Sequence, residues 1–186
     1  IRKFFDISNE MEDIISLSVG EPDFTTPWHV RQAGIASLEK GRTWYTPNRG
    51  FSELREEISK YFKRKFNVEY EPLKEVLVTV GGSEAIDLCI RSLISTGDEV
   101  LIPQPCFVCY EPMTIMAGGT PVIIETKGED DFRLTAKQLR EKITDRTKLL
   151  ILPFPNNPTG AVMRREHLEE IAEVIREHNI IVLSDE

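Results

Sequence analysis

Four stretches of this chain carry residue types that can do chemistry. Pro155-Asn156-Asn157-Pro158-Thr159-Gly160 follows the apolar run Leu149-Leu150-Ile151-Leu152-Pro153-Phe154. Ser184-Asp185-Glu186 follows a second run, Ile180-Ile181-Val182-Leu183. Two strands should therefore deliver an amide, Asn157, and a carboxylate, Asp185, to one edge of a sheet. Gly81-Gly82-Ser83-Glu84 reads as a tight turn into a helix, with the backbone N–H groups of Gly82, Ser83 and Glu84 pointing outward. A helix start carries about half a positive charge and free donors, so a phosphate fits there. The fourth stretch, Pro103 to Tyr110, places the aromatic Phe107 after another strand.

Taken singly, each group has a bland reading. The glycine pair is a turn, Asp185 caps whatever follows it, Asn157 braces its own loop and Phe107 is core. The turn is neither a dinucleotide fingerprint nor a triphosphate loop, since GxGxxG and the Walker lysine are both absent. What lends the groups weight is where the flanking elements must put them. From residue 76 onward the pattern alternates strands of continuous apolar residues with helices. The expected strands are 76–80, 99–102, 121–125, 149–154 and 180–184. Between them lie a helix after Gly82 with Ala85, Ile86, Cys89, Ile90 and Leu93 inward, a helix over 106–117, a helix capped by Thr135, and a last one with Leu168, Ile171, Ala172 and Ile175 on one face. Thr135-Ala136-Lys137-Gln138 is a capping box, with Leu134 and Leu139 as its hydrophobic staple. This is α/β architecture, a mostly parallel sheet covered on both faces. Ligands in such sheets sit outside the carboxyl ends of the strands, where all four stretches converge.

Residues before 76 are organised differently. A turn-rich loop, Gly20-Glu21-Pro22-Asp23-Phe24, precedes a helix expected to be capped by Thr26 with Pro27 at its first position, an apolar face of Val30, Ala33 and Leu38, and an end at Gly41. The loop Thr43 to Gly50 leads into an amphipathic helix marked by Phe51, Leu54, Ile58, Tyr61 and Phe62. The basic run Lys60 to Lys65 falls on the solvated face of that helix.

Composition removes several function classes. With 186 residues, 40% hydrophobic and 29% charged, the chain should fold as a packed soluble domain or a domain plus part of another. A formal charge of −8 argues against a nucleic-acid partner, and no apolar run approaches the ~20 residues of a membrane helix. Three cysteines and no visible signal peptide fit a cytoplasmic setting. Cys106 and Cys109 have CxxC spacing, but no second pair completes a metal site and the three histidines are scattered, so no metal is expected.

One ligand satisfies the whole strand-end set: a ring with a phosphate arm, a hydroxyl and a basic nitrogen. The helix start takes the phosphate, Phe107 stacks on the ring, Asn157 donates to the ring oxygen and Asp185 keeps the ring nitrogen protonated. That is pyridoxal phosphate, an electron sink that depends on a protonated ring nitrogen.

Gly20-Glu21-Pro22-Asp23-Phe24, Tyr45-Thr46-Pro47-Asn48-Arg49-Gly50, Gly81-Gly82-Ser83-Glu84-Ala85, Asn156-Asn157-Pro158-Thr159-Gly160 and Ser184-Asp185-Glu186 stand in an order and spacing that resembles the class I/II aminotransferases of fold type I, related to the aspartate and aromatic aminotransferases. The resemblance covers nearly the whole chain. It implies a transferase that moves an amino group between an amino acid and a 2-oxo acid through pyridoxal phosphate. It implies that residues 1–25 belong to the small domain and 26–186 to the N-terminal half of the large, cofactor-binding domain. Gly20, Phe107 and Asn157 then lie on the substrate side. Tyr45, Gly82, Ser83, Glu84, Phe107, Asn157 and Asp185 lie on the cofactor side, with Tyr45 reaching the phosphate of a neighbouring subunit in a homodimer with shared sites. Phe107 stands where many relatives have Trp or Tyr, so a ring is kept and a polar handle lost.

The same resemblance says what these residues lack. The family's Schiff-base lysine lies beyond Asp185-Glu186, as do a tyrosine and a late arginine, and Lys137 and Lys148 are not at the site. The 186 residues alone are therefore expected to be catalytically incompetent, a piece of a longer enzyme in which the last strands fill a gap beside strand 76–80. A carbon–sulfur lyase, which shares most of these motifs, and a cofactor-sensing regulator, whose effector domain resembles these enzymes, stand as alternative functions.

Overall fold

The computed structural model describes residues 22–186 together with Ile7 and Ile15. The chain divides into two compact units, residues 1–47 and 48–186. In the first, helix α1 (Trp28–Glu39) starts one residue later than its sequence suggests. Pro27 is itself the N-cap and no side chain caps the helix, so Thr26 does not have that role. Its end follows from Gly41, whose φ of 67° lets the Gly41 and Arg42 N–H groups turn back onto the carbonyls of Leu38 and Ser37. The apolar positions Val30 and Leu38 are exposed, and no residue of α1 is buried.

The second unit opens with α2 (Ser52–Phe66), which ends where Asn67 adopts a left-handed conformation. Its basic run is solvated as expected: Lys60 pairs with Glu57, Lys63 with Glu69, and Arg64 lies over the Tyr61 ring. A short helix α3 (Pro72–Glu75) follows. The next helix is α4 (Gly82–Leu93). Then come β1 (Glu99–Gln104), α5 (Tyr110–Met116), β2 (Thr120–Glu125), α6 (Ala136–Lys142), β3 (Thr147–Leu152), α7 (Arg165–His178) and β4 (Ile181–Ser184).

The four strands form one parallel sheet in the order β2-β1-β3-β4. Alternation along each strand sorts its side chains between two cores. Leu101, Ile124 and Leu150 point to one face, where Leu139 of α6 and Ile171 and Val174 of α7 cover them. Val100, Ile102, Leu149 and Ile151 point to the other, beneath Ile86 and Ile90 of α4 and Tyr110 of α5. The Thr135 capping box forms as expected, and its staple residues Leu134 and Leu139 are both fully buried.

Several expectations need correction. Residues 76–80 are not a strand of this sheet. The segment is extended at Val76, but its polar backbone groups are engaged elsewhere: Val78 N–H donates to the Arg49 carbonyl, and the Val76 carbonyl accepts from Arg55 Nε at 2.8 Å. Gly50 allows this close approach, since a Cβ there would meet Val78 Cβ at 2.6 Å. A run of β-branched residues becomes a strand only with a ladder partner, and among the described residues none pairs with it. The helix expected over 106–117 begins only at Tyr110, because Cys106 to Cys109 form the turn into it. In α4 the buried line is Ile86 and Ile90, and Cys89 lies off it, exposed. In α7 the buried pair is Ile171 and Val174, while Leu168 lines an open groove beside Leu152 and Phe154. Strand β3 stops at Leu152, two residues before its apolar run ends.

Candidate functional site

Beyond the carboxyl ends of β1, β3 and β4 lies a cleft of about 340 Å³, lined by Gly82, Ser83, Phe107, Tyr110, Asn157 and Asp185, with Ile86, Pro153, Pro155 and Glu186 completing its walls. The sequence-expected groups Gly82, Ser83, Phe107, Asn157 and Asp185 therefore meet in one place. Each arrives by a simple route. Gly81 takes a φ of 83°, a backbone conformation suited to glycine, and turns the chain so that α4 starts at the cleft. Phe107 comes from the turn between β1 and α5. Asn157 comes from the loop after β3, and Asp185 directly follows β4.

The loop after β3 divides its two asparagines between different tasks. Asn156 is buried, and its Oδ1 accepts from the Thr159 hydroxyl at 2.9 Å and the Thr159 N–H at 3.3 Å. Its backbone closes the loop as well, donating to the Ala161 carbonyl and accepting from Gly160 N–H. The bracing that the sequence allows for Asn157 is thus done by Asn156, and Asn157 is exposed on the cleft wall.

Asp185 has a partner that sequence reasoning missed. The Tyr110 hydroxyl donates to Asp185 Oδ2 at 2.6 Å, across 75 positions of sequence. The Tyr110 side chain is almost wholly buried. Its ring meets Phe107 edge-on, with centroids 6.1 Å apart and planes at 77°. Burial first, and then the bond to Asp185, push the Tyr110 phenol far above its ordinary ionisation range, so it remains a donor. A signal was available: Phe107 and Tyr110 are three positions apart just after a strand, a spacing that brings both to one side of a turn entering a helix.

Glu84 follows Ser83 in the first turn of α4, where its backbone N–H is expected. The Glu84 carboxylate folds back to accept from Val80 N–H at 2.5 Å, closing the turn before its own helix. Tyr45 belongs to the unit of residues 1–47, and its side chain is exposed. Gly20 lies outside the described residues. Burial pushes the Cys106 thiol up to about 11, and burial with the nearby Asp185 charge also raises Cys109. Both shifts work against the thiolate that redox or metal chemistry needs. No group of His, Cys, Asp and Glu among the described residues is arranged to hold a metal, and no helix among them is long and apolar enough to cross a membrane.

Residues 12–186 match the family described as aminotransferase class I and II. The chain is 47% identical to an aspartate aminotransferase of Pyrococcus abyssi over 186 residues, all of this chain and 48% of the relative. It is 44% identical to aromatic-amino-acid aminotransferase 2 of Thermococcus litoralis, again over all of this chain and 48% of the relative. The solved aromatic aminotransferase from Pyrococcus horikoshii superimposes with a TM-score of 0.89 at 44% identity, covering 97% of this chain and 48% of that one. The chain thus spans about half the length of the curated relatives it matches.

Proposed function

The chain belongs to the class I and II aminotransferases, a family that is generally pyridoxal-phosphate-dependent, and from that premise we propose that the whole protein moves an amino group between an amino acid and a 2-oxo acid. The observation that carries the proposal is the cleft that a helix start, an aromatic ring, an amide and a half-buried carboxylate line together. Its volume of about 340 Å³ lies at the small end of the range for small-molecule sites.

The donor set fits pyridoxal phosphate. A side chain at Gly82 would meet nothing within 4 Å, so the start of α4 is open, and the N–H groups of Gly82 and Ser83 would take the phosphate. Phe107 would cover one face of the ring, and Asn157 would donate to its oxygen. Asp185 would hold the proton on its nitrogen, an arrangement that adds a cationic partner to a half-buried carboxylate otherwise bonded by the neutral Tyr110 hydroxyl. The cofactor, when bound, supplies an electron sink whose strength depends on that proton. No lysine lines the cleft among the described residues.

The proposal extends to features beyond the cleft. Tyr45 reaches the phosphate site of a second copy, so the protein is a homodimer with shared sites, and Gly20 approaches the substrate. Residues 1–25 are part of a small domain and 26–186 part of the large one. Three free thiols support a cytoplasmic setting. The test uses the whole protein with added pyridoxal phosphate. A visible absorbance band and turnover that requires a 2-oxo acid acceptor are expected. No band would sink the cofactor assignment, and release of ammonia and a 2-oxo acid without any acceptor would replace the transferase by a lyase.

A further inference from the structure

Tyr110 touches two walls of the cleft at once. Its hydroxyl holds Oδ2 of Asp185, and its ring edge meets Phe107. Its own backbone is anchored, since the Tyr110 carbonyl accepts from the Thr114 hydroxyl at 2.8 Å and Thr114 is fully buried. It packs among Ile86, Ile90 and Ile151 in the core beneath α4 and α5. A side chain fixed so firmly can fix what it touches.

Asp185 is in a different situation. It follows the last residue of an edge strand, and its backbone N–H donates to the Leu152 carbonyl at 3.2 Å. Its side chain has one bond to protein among the described residues, the one from Tyr110. Without that bond the carboxylate could rotate about χ1 and χ2. With it, Oδ2 is committed and Oδ1 remains for a ligand.

We propose that Tyr110 is the positioning residue of this site, setting the Asp185 carboxylate through its hydroxyl and the Phe107 ring through its edge. The inference rests on the cofactor reading above and adds to it a residue that touches no part of the cofactor in that reading. A purely structural role is the competing explanation, because a buried tyrosine hydroxyl needs some partner and Asp185 could merely supply it. The two differ in what happens when Asp185 is changed.

The test is a double-mutant cycle in the whole protein, measured as the affinity of the apoprotein for pyridoxal phosphate. Tyr110→Phe keeps the ring edge and removes the hydroxyl. It should weaken binding about tenfold when Asp185 is present and less than about twofold in the Asp185→Ala background, which leaves the hydroxyl no side-chain acceptor there, in keeping with loss of one charge-assisted hydrogen bond. Tyr110→Leu should add a further loss that persists in both backgrounds, since it acts through Phe107. Equal effects of Tyr110→Phe in the two backgrounds, or none in either, would overturn the inference. The Asp185 conformation in crystals of Tyr110→Phe gives a second reading: a carboxylate that stays in place without the hydroxyl overturns it as well. Wild-type protein that takes up no pyridoxal phosphate would overturn the cofactor reading and this inference with it. A wild type that binds, beside a Tyr110→Phe variant that binds equally well, would overturn this inference alone.

Discussion

The two ends of the sheet both carry carboxylates, and they are treated differently. At the amino-terminal end, Glu99 is buried and saturated with donors. Its Oε2 accepts from the Thr144 hydroxyl at 2.6 Å, and its Oε1 accepts from Arg146 Nη2 at 2.8 Å and Nε at 3.1 Å. Neighbouring Asp98 pairs with Lys148 at 3.1 Å and takes the Ser95 N–H. At the carboxyl-terminal end, Asp185 has Tyr110 on one oxygen and faces the cleft with the other. The difference teaches how to tell structure from function in one fold. A carboxylate whose acceptor sites are used by the protein is finished, whereas one left half-satisfied beside a cavity has room for a ligand.

The comparison breaks most visibly if the two carboxylates are exchanged in their effects. Asp185→Asn retains an acceptor for Tyr110 and loses the charge, so amino-transfer turnover of the whole protein should fall by ~10²–10³-fold. Its thermal unfolding should stay at the wild-type value. Glu99→Ala should do the reverse, lowering stability by ~1.5–3 kcal/mol in denaturant unfolding, because a charged acceptor of several bonds is lost. Its cofactor affinity should not change. A Glu99→Ala variant whose turnover falls as severely as that of Asp185→Asn would dissolve the distinction.

A finer version lies within one loop. Asn156→Ala removes the brace of Thr159 and should cost ~1 kcal/mol of stability or somewhat more, read from the urea midpoint. Asn157→Ala should leave that midpoint alone and weaken pyridoxal phosphate binding about fivefold, the worth of one ordinary hydrogen bond. The outcome to watch for is equal destabilisation by both, which would make the loop a single structural unit.

The smallest expected effect is in acid. The Thr144 hydroxyl, then Arg146, hold the Glu99 carboxyl below its ordinary value of 4.5 despite its burial. A group whose folded value is depressed stabilises the fold above its unfolded value and loses that contribution as pH falls through the folded one. Wild-type stability should therefore exceed that of Glu99→Gln above about pH 4.5, and the gap should close as the pH drops further. A gap that persists unchanged to the lowest pH at which the protein stays folded would show that Glu99 acts through packing and not through charge.

Residue type and local spacing were sufficient for much of this protein. The apolar runs around Leu101, Ile124 and Leu150 announce buried parallel strands, because only a sheet covered on both faces can use continuous hydrophobic runs. The Thr135 capping box and the glycine turn at Gly81 are local devices, complete within a few residues, and they are found where the sequence puts them. The candidate ligand-facing groups at the strand ends were legible for the same reason. Parallel strands bring all their carboxyl ends to one side, so any polar residue just after a strand is a neighbour of the others.

Tertiary structure alone decided three matters. Residues 76–80 have strand composition, yet their backbone bonds go to Arg49, Arg55 and Glu84, since a strand exists only where a partner offers a ladder. Which asparagine braces the loop depended on the turn geometry that buries Asn156 and leaves Asn157 in the cleft. The bond from Tyr110 to Asp185 joins a helix start to a strand end 75 residues later, and no periodicity reports a contact of that range. Local sequence sets which groups can stand at an edge, but the packing of separate elements against one another sets which of them are already satisfied and which still face a ligand.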